Sequence, residues 1–286
     1  MSKFDYKEAF SRNIGWVTAD EQECLRNKRV AIGGLGGVGG SHAIVLARMG
    51  IGKFNISDLD IFELANFNRQ YGATVSTLGQ PKADVAEDTL KEINPEAEIN
   101  NFKQGISLEN LDQFLEGVDI YVDSLDIFAL EIRRAVFARC YELGIPTITA
   151  APMGMGTAIL TFMPGKMSFE EYFCLDGFDF EDQILKFIIG LSPTVQQRHY
   201  LVDRSSVNIL KGKVPSTAMG IELAAGAACS NVLKILLGRG DVICAPRGIH
   251  FDAYRNRLVK TWRPFGNNHP MQRFMFWYVK RLLRGV

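Results

Sequence analysis

Ten residues, Ala31 to Gly40, read AIGGLGGVGG and follow an apolar run that begins at Val30. Gly34, Gly36 and Gly39 stand at G-x-G-x-x-G spacing, ahead of the helical stretch SHAIVLARM (41–49). In such a loop the first glycine permits a tight turn. The second lets backbone approach a phosphate, and the third lets the following helix pack closely on the strand. The phosphates face the free N–H groups and the positive dipole end of that helix. An acid at the end of the next strand then holds the ribose hydroxyls, and Asp58 stands there, 19 residues after Gly39. The pattern implies an adenine nucleotide and leaves NAD and ATP both open.

Residues further on bear on that choice. A dinucleotide's pyrophosphate is served by loop backbone and needs little added positive charge. A pyrophosphate that leaves ATP gathers charge in the transition state and calls for cations and a metal. Arg69 and Lys82 supply cations in the segment after the second strand. Asp126, past the fourth strand in VDSLD, supplies a carboxylate suited to Mg2+, which is often held by one or two carboxylates plus phosphate oxygens.

The elements that must position these residues alternate. Strands are expected at 30–32, 54–57, 98–102, 120–123 and 146–150, and helices at 41–49, 82–93, 108–115 and 129–143, after an N-terminal helix over 7–27. Asn94-Pro95 stops the 82–93 helix, because the residue before proline avoids helical backbone. Alternation of this kind predicts an α/β fold: a Rossmann-like, doubly wound, mostly parallel sheet. Beyond it, antiparallel C-terminal strands are expected at 157–163 and 249–262, the latter bent at Arg255-Asn256. An irregular helical crossover insertion lies between them, followed by an Ala/Gly-rich helix at 217–237. The expected organisation is a single domain over 1–286, with a nucleotide-binding core (1–163), a crossover or substrate segment (164–215), and a helix, strands and basic tail (216–286).

Taken together, the motifs resemble those of the ThiF/MoeB/HesA family, adenylyltransferases related to the ubiquitin-activating enzymes. The resemblance covers about residues 8–163 and, more weakly, the helix at 215–238. Its G-x-G-G-x-G loop is similar to Gly34, Gly36, Gly37 and Gly39; its acidic and N-x-x-R-Q elements to Asp58, Asp60, Asn66, Arg69 and Gln70. G-Q-P-K stands as Gly79 to Lys82, D-x-x-D as Asp123 and Asp126, and FSRNIGWVT resembles the family's N-terminal segment. The resemblance implies that Asp58 binds the ribose, with Asp60 and Gln70 part of the nucleotide site. It implies that Asn66, Arg69 and Lys82 line the phosphates and that Asp126 holds Mg2+. Arg12 is expected to arrive from the neighbouring protomer of a homodimer. The reaction implied is attack of a substrate carboxylate on the α-phosphate of ATP, giving an acyl-adenylate and pyrophosphate. The acceptor classes implied are a small carrier-like protein, a peptide or a modified tRNA nucleoside. A tRNA-dehydratase-like ATP-dependent enzyme, an NAD-binding oxidoreductase and a non-catalytic partner of the same fold are the alternatives.

The chain departs from many relatives in its cysteines. Cys24, Cys140, Cys174, Cys229 and Cys244 form no C-x-x-C pair, so no structural zinc is expected. The stretch at 205–220, where relatives often carry a nucleophile, has no cysteine. Reaction without a thioester step is therefore expected, with Cys174 the remaining candidate nucleophile. Ile127 stands where relatives often have asparagine, and His199 reads as structural. The segment 166–212 reads as an amphipathic helical cover packed on the sheet, or as a lid or substrate-selecting surface at the sheet's carboxyl edge.

Net charge is zero, yet no acid follows Asp252, and eight cations, from Arg255 to Arg284, do. Met271, Phe274, Met275, Tyr278 and Leu282 fall near one helical face of this tail. A dimer interface, an acidic partner and an anionic membrane surface are the readings of that face. No signal-peptide pattern and no run of about 18 uncharged apolar residues is visible. A reducing compartment, the cytoplasm, is the expected location.

Overall fold

The computed structural model describes residues 4–208, 212 and 214–284, the side chains of 283 and 284 excepted. The parts of the single-domain, crossover and tail expectations that fall on the remaining positions lie outside the described residues.

One eight-stranded sheet organises the chain, in the order β3-β2-β1-β4-β5-β6-β7-β8. The strands are β1 (Arg29–Gly33), β2 (Lys53–Ser57), β3 (Glu98–Phe102), β4 (Ile120–Asp123), β5 (Thr147–Pro152), β6 (Gly156–Phe162), β7 (Arg247–Asp252) and β8 (Arg257–Trp262). The first five run parallel and the last three pair antiparallel, as the alternation predicted. The central strands are short and apolar because both their faces are covered. Successive side chains feed opposite layers. Val30, Ile32, Ile120 and Val122 join one core, and Ala31 and Tyr121 join the other.

The first layer is built from α2 (Ala19–Asn27), α3 (Gly37–Arg48), α4 (Lys82–Ile93) and α9 (Ala218–Leu237). The second takes α5 (Leu111–Phe114), α6 (Leu130–Leu143), α7 (Phe169–Phe173) and α8 (Phe180–Leu191). It is held by an aromatic cluster, with ring centroids of Phe137–Phe169 and Phe169–Phe173 each 4.5 Å apart. α10 (Pro270–Arg284) packs on α8.

Four local expectations change. The helix expected over 7–27 is broken into α1 (Tyr6–Ala9), a 3-10 turn at Ser11–Asn13 and α2. Gly15, at φ +108°, takes a left-handed turn there, and the Thr18–Glu21 capping box restarts the helix. The glycine-loop helix begins at Gly37, four residues earlier than expected, and the 108–115 helix shrinks to α5. The bent strand at 249–262 is a hairpin, β7–β8, turning at Asn256 with φ +51°. The crossover is ordered by α7 and α8, each started by its own cap (Ser168 with Glu171; Asp179). These two helices bury their apolar faces on the sheet, which is the cover reading of the segment. α9 is long and apolar enough to span a bilayer by length and composition, though Glu222 and Lys234 interrupt it. Here it packs on α3, β5 and β6.

Candidate nucleotide site at the β1–β4 switch

β1 lies between β2 and β4, and the chain direction of travel across the sheet reverses there. In open α/β sheets this reversal leaves a crevice beyond the carboxyl ends of the strands. The register puts Gly33 beside both Ser57 and Asp123, so the loops after β1, β2 and β4 open on one edge. The glycine loop, Asp58 and the 124–126 segment are their next residues.

The three glycines of the motif are demanded by unequal neighbours. Gly34 has φ +87°, and a Cβ on it would lie 2.2 Å from the Ser124 carbonyl oxygen. A Cβ on Gly39 would lie 1.8 Å from the Gly34 carbonyl oxygen, so the helix sits directly on the loop. A Cβ on Gly36 would meet only the Gln70 side chain, at 3.6 Å, which leaves this position open to a ligand. Gly37 begins α3 beneath Ile221 of α9. No side chain caps α3 at Gly36, so its first-turn N–H groups face the crevice.

Asp58 accepts from the Leu35 N–H at 2.6 Å and from the Asp60 N–H at 2.8 Å. Burial pushes its carboxyl above the ordinary range, against those two hydrogen bonds. Lys82, the first residue of α4 and buried, pairs with Asp60 at 2.8 Å. Asn66 is buried, and its Oδ1 accepts from the Glu63 N–H at 2.9 Å, shaping the turn that carries Arg69 and Gln70. The Arg69 guanidinium donates to the Ala65 carbonyl and to Asn68, with no carboxylate partner among the described residues. Gln70 is buried beside Gly36, and its Oε1 has no hydrogen-bond partner among the described residues. A buried acceptor left unpaired is unfavourable, and a ligand donor would satisfy it.

Asp126 is exposed and accepts from the Phe128 N–H at 2.9 Å, so it caps the turn into α6 with one oxygen and keeps the other open. Its partner in the motif is structural. Asp123 is fully buried and paired with Arg133 (Nε–Oδ2 3.0 Å), whose guanidinium also donates to the Leu125 and Asp126 carbonyls. Arg133 therefore clamps the loop that presents Asp126.

Arg12 is the one expected site residue that lies apart in its own chain. Its neighbour Asn13 donates to the Arg48 carbonyl, at the far end of α3. A helix of 12 residues separates that end from Gly37, about 18 Å. Cys140 and Cys229 are buried, which pushes both thiols up and leaves them inert. Cys174 is half-buried at the end of α7, its thiol turned to the Glu171 carbonyl.

Sequence reasoning passed over three contributors. His42 is fully buried on α3, its Nδ1 3.1 Å from the Ser124 hydroxyl, and burial pushes its pKa down to about 3. Ser41 donates to Glu222 at 2.9 Å and ties α3 to α9. Asn68 donates to the Ser216 carbonyl, just ahead of α9. A polar pair, Ser41-His42, opening an otherwise apolar helix was the available signal.

Comparisons with known proteins agree with this architecture. The ThiF family profile matches residues 10–273. A tRNA threonylcarbamoyladenosine dehydratase of Bacillus subtilis (strain 168) is 37% identical over 142 residues, covering 49% of this chain and 55% of the relative. The sulfur carrier protein ThiS adenylyltransferase of Escherichia coli (strain K12) is 31% identical over 148 residues, 52% and 58% of the two chains. The chain thus spans about half the length of the curated relatives it matches. Among solved structures, E. coli MccB with ATP superposes with a TM-score of 0.66 over 92% of this chain and 73% of that one, at 19% identity. E. coli TcdA, a tRNA N6-threonylcarbamoyladenosine dehydratase, gives 0.59 over 81% and 95%, at 22% identity. At these identities the likeness is one of fold. The profile, spanning all eight strands and the glycine loop, establishes that this chain belongs to the ThiF family.

Proposed function

We propose that the protein is an ATP-dependent adenylyltransferase that activates a carboxylate as an acyl-adenylate and releases pyrophosphate. The observation that carries this reading is the crevice itself. It combines a glycine cradle open at Gly36, a buried Gln70 oxygen awaiting a donor, and an Arg69 cation without an acid. A dinucleotide dehydrogenase uses the cradle and Asp58 but has no task for Arg69, Lys82 or Asp126.

In this reading Asp58 orients the ribose and the N-terminus of α3 faces the phosphates. The acceptor's carboxylate oxygen attacks the α-phosphorus, and the bond to the bridging oxygen of the β-phosphate breaks. Negative charge then gathers on the departing pyrophosphate. Arg69, and Lys82 braced by Asp60, oppose that charge, with Asn66 holding the turn that places Arg69. Asp126 would hold Mg2+ through its open oxygen, and the metal would supply charge neutralisation between phosphate oxygens. Arg12 completes the set from a second copy of the chain, since its own crevice lies at the other end of α3. Exposed Ile14 and Trp16 (83% exposed) stand beside it, with Leu64 and Val75 exposed near Arg69, which supports an apolar homodimer interface around that contact. The acceptor is a carrier-protein terminus, a peptide or a modified tRNA nucleoside. The B. subtilis relative favours the last as a second reading, in which activation precedes loss of water. No thioester step is included, because the two buried thiols are inert and the Cys174 thiol faces a carbonyl.

Pyrophosphate exchange tests the proposal. With Mg2+, labelled pyrophosphate and acceptors of the three classes, one acceptor should drive label into ATP. Tight NAD binding with no ATP binding would overturn it. Asp126→Ala should abolish exchange while the fold persists. A monomer by sedimentation would remove the role for Arg12.

A further inference from the structure

A second pocket opens away from the nucleotide crevice, between α8, α10 and the turn at Gly266–Asn268. Its volume is about 230 Å3, room for about seven waters at roughly 30 Å3 each. Phe178 and Phe276 form an aromatic corner, their rings 5.8 Å apart at 81°, and Ile189 adds an aliphatic wall. None of its lining residues belongs to the glycine-loop site.

The pocket's charge is unusual for its burial. Lys186 is only 5% exposed, yet its ammonium has no carboxylate or hydrogen-bond partner among the described residues. It sits 3.8 Å from the Phe178 ring centre and 5.6 Å from that of Phe276. Asp182, one turn earlier on α8, gives its carboxylate to Lys280 instead. Arg273, on the rim, likewise makes no ion pair among the described residues. Other cations of this layer are satisfied: buried Arg133 holds Asp123 and half-buried Arg134 holds Glu170. Two of the amides in the wall are committed to the frame. Asn267 donates to the Phe173 and Lys186 carbonyls, and Gln272 to the Ile189 carbonyl. Asn268 is left as a polar group at the mouth.

A buried lysine normally finds an acid or loses its charge. Burial does push Lys186 below the ordinary lysine range, while two aromatic faces keep a cation favourable there. We infer that this pocket binds a small organic carboxylate with an aromatic body, the carboxylate meeting Lys186 and Arg273 and the ring seated against Phe178 and Phe276. The ammonium supplies a point charge and the guanidinium a planar fork suited to a carboxylate. The site is independent of the nucleotide reading, and either can fail without the other.

Benzoate is the probe, with benzamide as its neutral counterpart. Calorimetry on the full chain should show benzoate binding, with benzamide weaker by at least about tenfold, the loss expected for a charge-assisted contact. Lys186→Met should weaken benzoate by at least about tenfold while ATP binding is unchanged. Lys186→Arg should restore part of it. In the wild-type protein, benzoate should also slow acetylation of Lys186, read by peptide mass spectrometry, which serves if the methionine variant fails to fold. No benzoate binding, equal binding of benzamide, or Lys186 labelling indifferent to benzoate would each overturn the inference.

Discussion

The two ends of the sheet are held together in different ways. Around β1, β2 and β4, main chain meets main chain: Gly39 lies on the Gly34 carbonyl, and Gly34 on that of Ser124. Beyond β5 the packing is mainly side chain on side chain, in the Phe137–Phe169–Phe173–Phe187 cluster and around the Lys186 pocket, although a Cβ on Gly266 would still lie 2.0 Å from the Tyr172 carbonyl oxygen. Backbone contacts leave no atom that can step aside, whereas rings can shift or be replaced by others of similar volume. The glycine loop is thus intolerant of added atoms, and the aromatic cluster of the crossover end is tolerant of changed rings. That division suits a fold in which one ligand is bound by peptide groups and other surfaces are free to vary.

Arg133 is where the two ends meet, and it should give the largest effect. It pairs with buried Asp123, holds two carbonyls of the 124–126 segment, and stacks 4.6 Å over Phe187 of α8. Arg133→Met keeps the stack and strands the Asp123 carboxylate, so a loss of about 3–5 kcal/mol is expected in denaturant unfolding. A loss under about 1 kcal/mol would mean that the backbone frame stands without this clamp. Asp123→Asn with Arg133→Met together should cost less than the sum of the two, because neither charge is then left alone.

What was legible in the sequence follows the same division. The backbone end is written in glycine spacing and in acids at strand ends, and Gly34, Gly39 and Asp58 lie where that pattern places them. The parallel strands were legible because each is a short apolar run with a turn after it. Side-chain packing left weaker marks. The break at Gly15 was invisible inside a mixed polar pattern, because a single glycine does not by itself end a helix. α7 and α8 were legible only as a helical cover without bounds, because the acids of that stretch are caps and ion-pair partners: Glu171 and Asp179 start helices, and Glu170 and Asp182 hold Arg134 and Lys280. Arg12 reads as near the site by motif and stands at the far end of α3 in space, and the second copy proposed above would reconcile the two.

Gly39→Ala sharpens the comparison at the backbone end. Its methyl would meet an immovable carbonyl at 1.8 Å, so α3 must lift from the loop. A destabilisation of about 1–3 kcal/mol is expected, together with loss of ATP binding. An unchanged ATP affinity by calorimetry would show that the helix is not seated on the phosphates.

Between pH 6 and 5, acid should weaken the two ends by similar amounts, one buried histidine each. His42 lies behind the glycine loop and His250 on β7, both buried, with pKa values pushed down to about 3 and about 4. An unfolded histidine takes a proton as pH falls below about 6.5, and the folded ones do not. Stability is therefore flat above that pH and declines below it, by about 1.4 kcal/mol per pH unit for each histidine. Between pH 6 and 5, ahead of most carboxylate titration, these two histidines should together contribute close to two protons to the uptake on unfolding. His42→Gln should halve that slope while keeping a partner for Ser124, and an unaltered slope would mean that His42 is charged when folded.

The smallest expected effect has the opposite sign and comes from the other kind of glycine. Gly226 sits in the middle of α9 with an ordinary helical φ, is exposed, and would offer a methyl nothing within 4 Å. Neither turn, ligand nor close approach in this chain requires it. Gly226→Ala should therefore stabilise by up to about 1 kcal/mol, through helix propensity and a less mobile unfolded chain. ATP affinity should not change. If instead the alanine destabilises, or lowers the sedimentation coefficient, the exposed side of α9 is an interface that a single copy of the chain does not reveal.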